Sequence, residues 1–141
     1  MIAIGCDHGG FELKTKIIDF FDEKGIPYSD FGTYSMQSVD YPVFAEKVCE
    51  AVLSGQYSKG ILICTTGIGV SIMANRNKGI RAALCADTFT AKMTRLHNDA
   101  NVLCMGGGVI GAELAKEIAD TFIYTEFSNE EKHKRRISML S

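Results

Sequence analysis

Short apolar runs alternate with longer amphipathic ones along almost the whole chain. Ile2 to Cys6 is a continuous apolar run closed by a polar, glycine-rich stretch, the pattern of a strand buried on both faces. Phe11 to Lys24 places Leu13, Ile17, Phe20 and Phe21 on one helical face, and Gly25 follows where a helix takes a left-handed residue. The same reading expects strands at Ile26 to Phe31, Gly60 to Cys64, Gly79 to Leu84 and Asn101 to Met105. Between them it expects helices from Asp40 to about Ser54, with Pro42 in the first turn, and from Val70 to Asn77. Further helices run from an Asp87 cap to His97 and from Val109 to Phe122, and a charged helix closes the chain over 129–140.

Strands alternating with helices at this spacing predict right-handed crossovers. The expected product is an α/β fold: a five-stranded parallel sheet covered on both faces, a three-layer α/β/α sandwich. No repeat, linker or low-complexity stretch interrupts residues 1–141, so they read as one domain. In open parallel sheets, ligands bind beyond the carboxyl ends of the strands. The residues expected there are Cys6-Asp7-His8-Gly9-Gly10, Gly32-Thr33, Cys64-Thr65-Thr66-Gly67, Cys85-Ala86-Asp87 and Gly106-Gly107-Gly108. An acid, an imidazole, thiols, hydroxyls and many glycines at one edge suit a small polar anion.

Composition narrows the classes. A net charge of −2 makes no general electrostatic case for nucleic acid or an acidic membrane surface. No apolar stretch approaches the ~20 residues of a transmembrane helix. Met1 opens directly onto a strand-like run, so no signal peptide is expected. The five cysteines are odd in number and show no CxxC spacing, which suits reduced thiols in a cytoplasmic protein and speaks against a disulfide oxidoreductase.

Among those cysteines, Cys64 stands apart. It ends an apolar strand and is followed at once by Thr65-Thr66-Gly67-Ile68-Gly69 and a helical run. Oriented N–H groups at such a turn favour an anion, and the same field favours a thiolate. The turn lacks the Lys-Ser/Thr of a Walker A loop and the third glycine of GxGxxG, so a tight turn alone explains it as well. With a thiol directly in front, it reads as an oxyanion-hole arrangement. Cys6, Cys49, Cys85 and Cys104 read as packing. Asp7 serves either as a helix cap or, with His8, as part of a site. His97 serves either its helix C-terminus or acid/base chemistry. His, Cys and Asp share no metal-ligand spacing, so no zinc site is expected. The tail Glu130 to Arg136 is either a solvated face or a source of positive charge for a phosphate.

In order along the chain stand Gly5-Cys6-Asp7-His8-Gly9-Gly10, Asp40-Tyr41-Pro42, Ile63-Cys64-Thr65-Thr66-Gly67-Ile68-Gly69, Ala74-Asn75-Arg76, Gly79-Ile80-Arg81-Ala82 and His97-Asn98-Asp99-Ala100-Asn101-Val102-Leu103. This set resembles ribose-5-phosphate isomerase type B, within the wider family that includes galactose-6-phosphate isomerase subunits. The resemblance covers essentially the whole chain. It implies a Rossmann-like fold and an aldose–ketose isomerisation of ribose 5-phosphate to ribulose 5-phosphate, without metal or organic cofactor. It implies that Cys64 is the base between C1 and C2, and that Thr66 and the backbone N–H groups of the Thr65, Gly67, Ile68 and Gly69 turn stabilise the enediolate. His97 would open the furanose ring, and Asp7, His8 and Asn98 would hold hydroxyls or the phosphate end. One branch of the family uses a glutamate base, and the matching position here is Val70, so the chain resembles the cysteine branch. The resemblance also implies a homodimer or dimer of dimers with the site between subunits.

Two departures touch the substrate. Gly108 stands where relatives carry an arginine, and Lys132 occupies another arginine position in a tail one residue longer. Arg136 matches, with Arg135 its substitute if the register slips. Fewer guanidinium groups mean a weaker bidentate grip on phosphate. Another sugar, such as allose 6-phosphate or galactose 6-phosphate, is therefore an alternative substrate. A non-catalytic sugar-phosphate-binding module and a flavodoxin-like nucleotide binder are the competing classes; few aromatics near the strand ends weigh against the latter.

Overall fold

The computed structural model describes residues 1–140. Its strands are β1 (Ile2–Cys6), β2 (Tyr28–Asp30), β3 (Lys59–Cys64), β4 (Ala82–Leu84) and β5 (Val102–Gly106). All neighbours pair in parallel, in the order β2-β1-β3-β5-β4. The central register sets Ile4 opposite Ile61 and Ile61 opposite Leu103.

Because successive strand side chains alternate faces, each central strand feeds two cores. On one side Ile4, Ile61, Ile63, Leu103 and Met105 meet α1 (Phe11–Lys24), α4 (Thr88–Asn98) and α5 (Ala112–Tyr124), which contribute Ile17, Phe21, Ala91, Ile118 and Phe122. On the other, Ala3, Leu62, Cys64, Val102 and Cys104 meet Val48 and Cys49 of α2 (Tyr41–Leu53) and Val70 and Ala74 of α3 (Ile68–Ala74). This double burial explains the unbroken apolar runs of β1, β3 and β5. A last helix, α6 (Glu131–Ser138), packs on α4. No helix of the described residues is long and apolar enough to cross a membrane.

The expected elements are present, with shifted ends. β4 is three residues long because Gly79 turns in the left-handed region and the Arg81 N–H donates to the Asn101 side chain at 2.8 Å rather than to a strand. Helix α3 starts at Ile68, two residues before the expected Val70, because Gly67 is its cap. Helix α5 starts at Ala112, since the N–H groups of Val109 and Ile110 turn back onto the Gly106 carbonyl. Gly25 closes α1 at φ 70°, as its position suggests.

The strand order locates a crevice. β1 leaves through α1 toward β2, whereas β3 leaves through α3 toward β4 on the opposite side and over the opposite face. Chains diverging in this way open a gap between the carboxyl ends of β1 and β3, the topological switch point of such sheets.

Candidate active site

Cys64 ends β3 at that gap and is only 5% exposed. The Gly67 N–H donates to its sulfur at 3.1 Å, placing a donor against whatever negative charge the sulfur carries. Gly67 holds this aim at φ 80°, and a Cβ there would lie 2.8 Å from the Met105 carbonyl carbon, so no other residue fits unstrained. The exposed Thr66 accepts the Ile68 N–H through its hydroxyl at 3.2 Å. The N–H groups of Gly69 and Val70, in the first turn of α3, meet no acceptor among the described residues. The Tyr41 ring lies against Gly69, where a Cβ would stand 2.8 Å from it.

The loop after β1 forms the other wall. Asp7 is buried, and its Oδ1 accepts the N–H groups of Gly9 at 2.9 Å and Gly10 at 3.2 Å, capping a single 3-10 turn, His8–Gly10. The capping role expected of Asp7 is thus observed for one oxygen. The Val39 N–H donates to His8 Nδ1 at 3.1 Å. In the neutral ring the proton then sits on Nε2, which becomes a donor. The loop nests tightly against its neighbours: a Cβ on Gly10 would run into the Ile63 carbonyl oxygen, and one on Gly107 would stand 2.7 Å from the Gly9 oxygen. Gly108 donates to the Thr65 carbonyl at 2.8 Å. Beneath this wall, the buried Lys14 pairs with Asp30 at 2.7 Å and donates to the Thr33 carbonyl.

The other cysteines are different. Burial pushes Cys6 up to about 11 and Cys49 to about 12, and it also raises Cys85 and Cys104. All four lie in the core, and no other cysteine sulfur accepts a backbone N–H among the described residues. Val70 is fully buried and apolar. No group of three or more His, Cys, Asp or Glu side chains among the described residues is placed to hold a metal ion.

His97 and Asn98 lie elsewhere. Helix α4 starts beyond the carboxyl end of β4 and runs back to the start of β5, so its last turn sits at the amino edge of the sheet, opposite Cys64. Asp99 ends α4 at φ 45° and is held by two arginines. Arg95 reaches its carboxylate at 2.8 Å and the Ala100 carbonyl at 2.7 Å, and Arg81 donates to the carbonyls of Asn98 at 2.8 Å and Asp99 at 3.0 Å. The His97 ring stacks on His133 of α6, with centroids 4.3 Å apart and planes 21° from parallel. His97, Asn98, His133 and Arg136 share a cavity of about 240 Å³, closed by Ile137 and Leu140. Lys132 is exposed on α6 and lies off its wall.

The sequence-predicted residues therefore fall into two sets. Asp7, His8, Thr65, Thr66, Gly67, Ile68 and Gly69 surround Cys64 at one edge; His97, Asn98 and Arg136 gather at the other. Sequence reasoning did not single out Tyr41, Val39, Arg81, Arg95 or His133 as part of either set. The His-x₃₅-His separation of His97 and His133 carries no local signal, although the Asp40-Tyr41-Pro42 and Gly79-Ile80-Arg81-Ala82 motifs marked Tyr41 and Arg81.

The ribose/galactose isomerase family model matches residues 2–140. The chain belongs to this family. It is 51% identical to a putative sugar phosphate isomerase of Bacillus subtilis, over 99% of this chain and 94% of that one. It is 44% identical to ribose-5-phosphate isomerase B of Escherichia coli, over 99% and 93% of the two chains. The crystal structure of a Thermotoga maritima ribose 5-phosphate isomerase superposes with a TM-score of 0.96 at 51% identity, covering 99% of this chain and 95% of that one. As a ribose/galactose isomerase family member, the protein is an aldose–ketose isomerase, an intramolecular oxidoreductase with a Rossmann-like α/β/α fold.

Proposed function

We propose that the protein is a sugar-phosphate isomerase that interconverts ribose 5-phosphate and ribulose 5-phosphate in sites shared between two copies of the chain. The observation that carries this reading is Cys64, with its sulfur on the Gly67 N–H in the switch-point crevice beside free N–H groups. Isomerisation needs a base for a weakly acidic C–H and donors for the oxyanion that forms.

The steps follow from those groups. The Cys64 thiolate takes the C2 proton of the open-chain aldose, and the electron pair moves onto O1. Thr66 and the turn's N–H groups, Gly69 foremost, meet that charge. The thiol then returns its proton to C1 while the O2 hydroxyl proton passes to O1, leaving a C2 ketone. His97 protonates the ring oxygen beforehand as the furanose opens. His8, Asp7 and Asn98 hold hydroxyls, and Arg136 and Lys132 face the phosphate.

His97 and Cys64 stand at opposite edges of one sheet, so a single subunit offers each only half of these groups. A homodimer, or a dimer of dimers, supplies the rest. Mixing inactive Cys64→Ala and His97→Ala subunits tests this directly. Activity reappears if each site draws on two chains, because one composite site in the mixed dimer is then intact. A mixture that stays inert after subunit exchange refutes the shared site.

One observation favours a second substrate. Gly108, packed against Thr65 at the Cys64 edge, offers no side chain to a phosphate. A larger sugar phosphate of the allose 6-phosphate or galactose 6-phosphate type then gains room. Turnover of such sugars, with none of ribose 5-phosphate, would replace the five-carbon assignment and leave the mechanism in place.

A further inference from the structure

The amino-edge cluster contains one buried imidazole that the steps above do not use. His133 is 7% exposed, on a helix whose neighbouring side chains are mostly in solvent. One face of its ring lies flat on His97. Its Nε2 stands 3.1 Å from the Glu130 carboxylate, at the start of the same helix. That contact orients the ring and, in the neutral form, places the proton on Nε2. At 4.3 Å, face to face, a charge on either ring would act directly on the other.

We propose that His133 is a positioning residue for the ring-opening step: braced by Glu130, it holds the His97 imidazole in the orientation from which it protonates the ring oxygen. This rests on the ribose 5-phosphate reading above. Ring opening moves a proton from His97 to the furanose ring oxygen as the C1–O bond breaks, while the C1 hydroxyl gives up its proton to solvent and becomes the aldehyde. An imidazole free to swivel would meet the ring oxygen less often. Burial and the adjacent His97 both hold His133 below its ordinary value; Glu130 acts in the opposite direction, and Lys132 and Arg136 with the lowering. On balance these surroundings favour the neutral ring.

The chemistry of the two directions supplies the test. Ribulose 5-phosphate has its C5 hydroxyl esterified and cannot close into a furanose, so its conversion begins without ring opening. The aldose it yields can leave as the open aldehyde and close in solution. His133→Ala should therefore lower kcat from ribose 5-phosphate by about tenfold or more, the scale of a displaced proton donor, and leave initial kcat from ribulose 5-phosphate within about twofold. His133→Phe keeps a flat ring against His97 and should restore most of the loss. Loss of α6 packing alone would instead raise KM in both directions through Arg136. Equal losses in kcat in the two directions, or no loss in either, would overturn the proposal.

A proton NMR readout separates this from the substrate assignment. The stack should shift the His97 ring protons upfield in the wild type and in His133→Phe, and not in His133→Ala. If the wild type does not convert ribose 5-phosphate, the substrate reading fails. If the His97 signals do not depend on a ring at position 133, the positioning role fails.

Discussion

The two edges of the sheet are built by different means. At the carboxyl edge the backbone does the work: Gly67 aims its N–H at Cys64, and Gly10 and Gly107 let three loops approach more closely than any side chain would permit. At the amino edge side chains do it: Arg81 and Arg95 converge on Asp99, and His133 braces His97. A backbone-built site is rigid and intolerant of added atoms, which suits donors that must meet a developing oxyanion. A site built from side chains depends on partners from several helices and fails one contact at a time.

Substitution should separate the edges. The largest effect belongs to Cys64→Ser, which keeps the size and removes the thiol proposed as base. Turnover should fall on the order of 10³-fold with little change in the thermal midpoint. A variant with near wild-type kcat would remove Cys64 from the chemistry. Gly67→Ala comes next, because it forces a Cβ into the Met105 backbone at positive φ. It should lower stability by about 3 kcal/mol in urea unfolding and lower kcat with it; an undisturbed variant would contradict the backbone-built edge.

Arg95→Leu tests the other edge. It strands the Ala100 carbonyl and frees Asp99, which is itself partly in water, so about 2 kcal/mol of stability should be lost. kcat from ribose 5-phosphate should fall more than kcat from ribulose 5-phosphate, since His97 sits on the turn that loosens. Gly108→Arg should lower KM for ribose 5-phosphate roughly fivefold by restoring a guanidinium near the phosphate, provided Thr65 yields a few tenths of an ångström. An unchanged KM would place the phosphate elsewhere.

The smallest expected effect is on stability against pH. His133 lies below its ordinary value in the fold, so the unfolded chain binds more protons there. Its contribution is present above the ordinary histidine value of about 6.5 and declines as the pH falls through the lowered one. His133→Phe should flatten that acid-side decline in denaturation profiles at pH 5 to 7, roughly the histidine range. An identical profile would show that His133 titrates normally.

Much of the fold was legible because the sheet is buried on both faces, which writes each central strand as a plain apolar run. Strand ends were less legible. Gly79 to Arg81 read as strand by composition, yet the Asn101 side chain takes the Arg81 N–H, a contact made across the sheet's end and invisible locally. Cys64 stood out because its turn is contiguous. His133 did not, because its partner lies on another helix.

By itself, the order of apolar runs and glycines determined the parallel sheet, the edge where its loops gather and the thiol beside a glycine-rich turn, since each depends on residues adjacent in the chain. Only the tertiary structure decided that Cys64 and His97 occupy opposite edges, that Val39 sets the His8 tautomer and that His133 lies under His97. Helix direction and packing between distant segments place those groups, and neither is encoded in any short window of sequence.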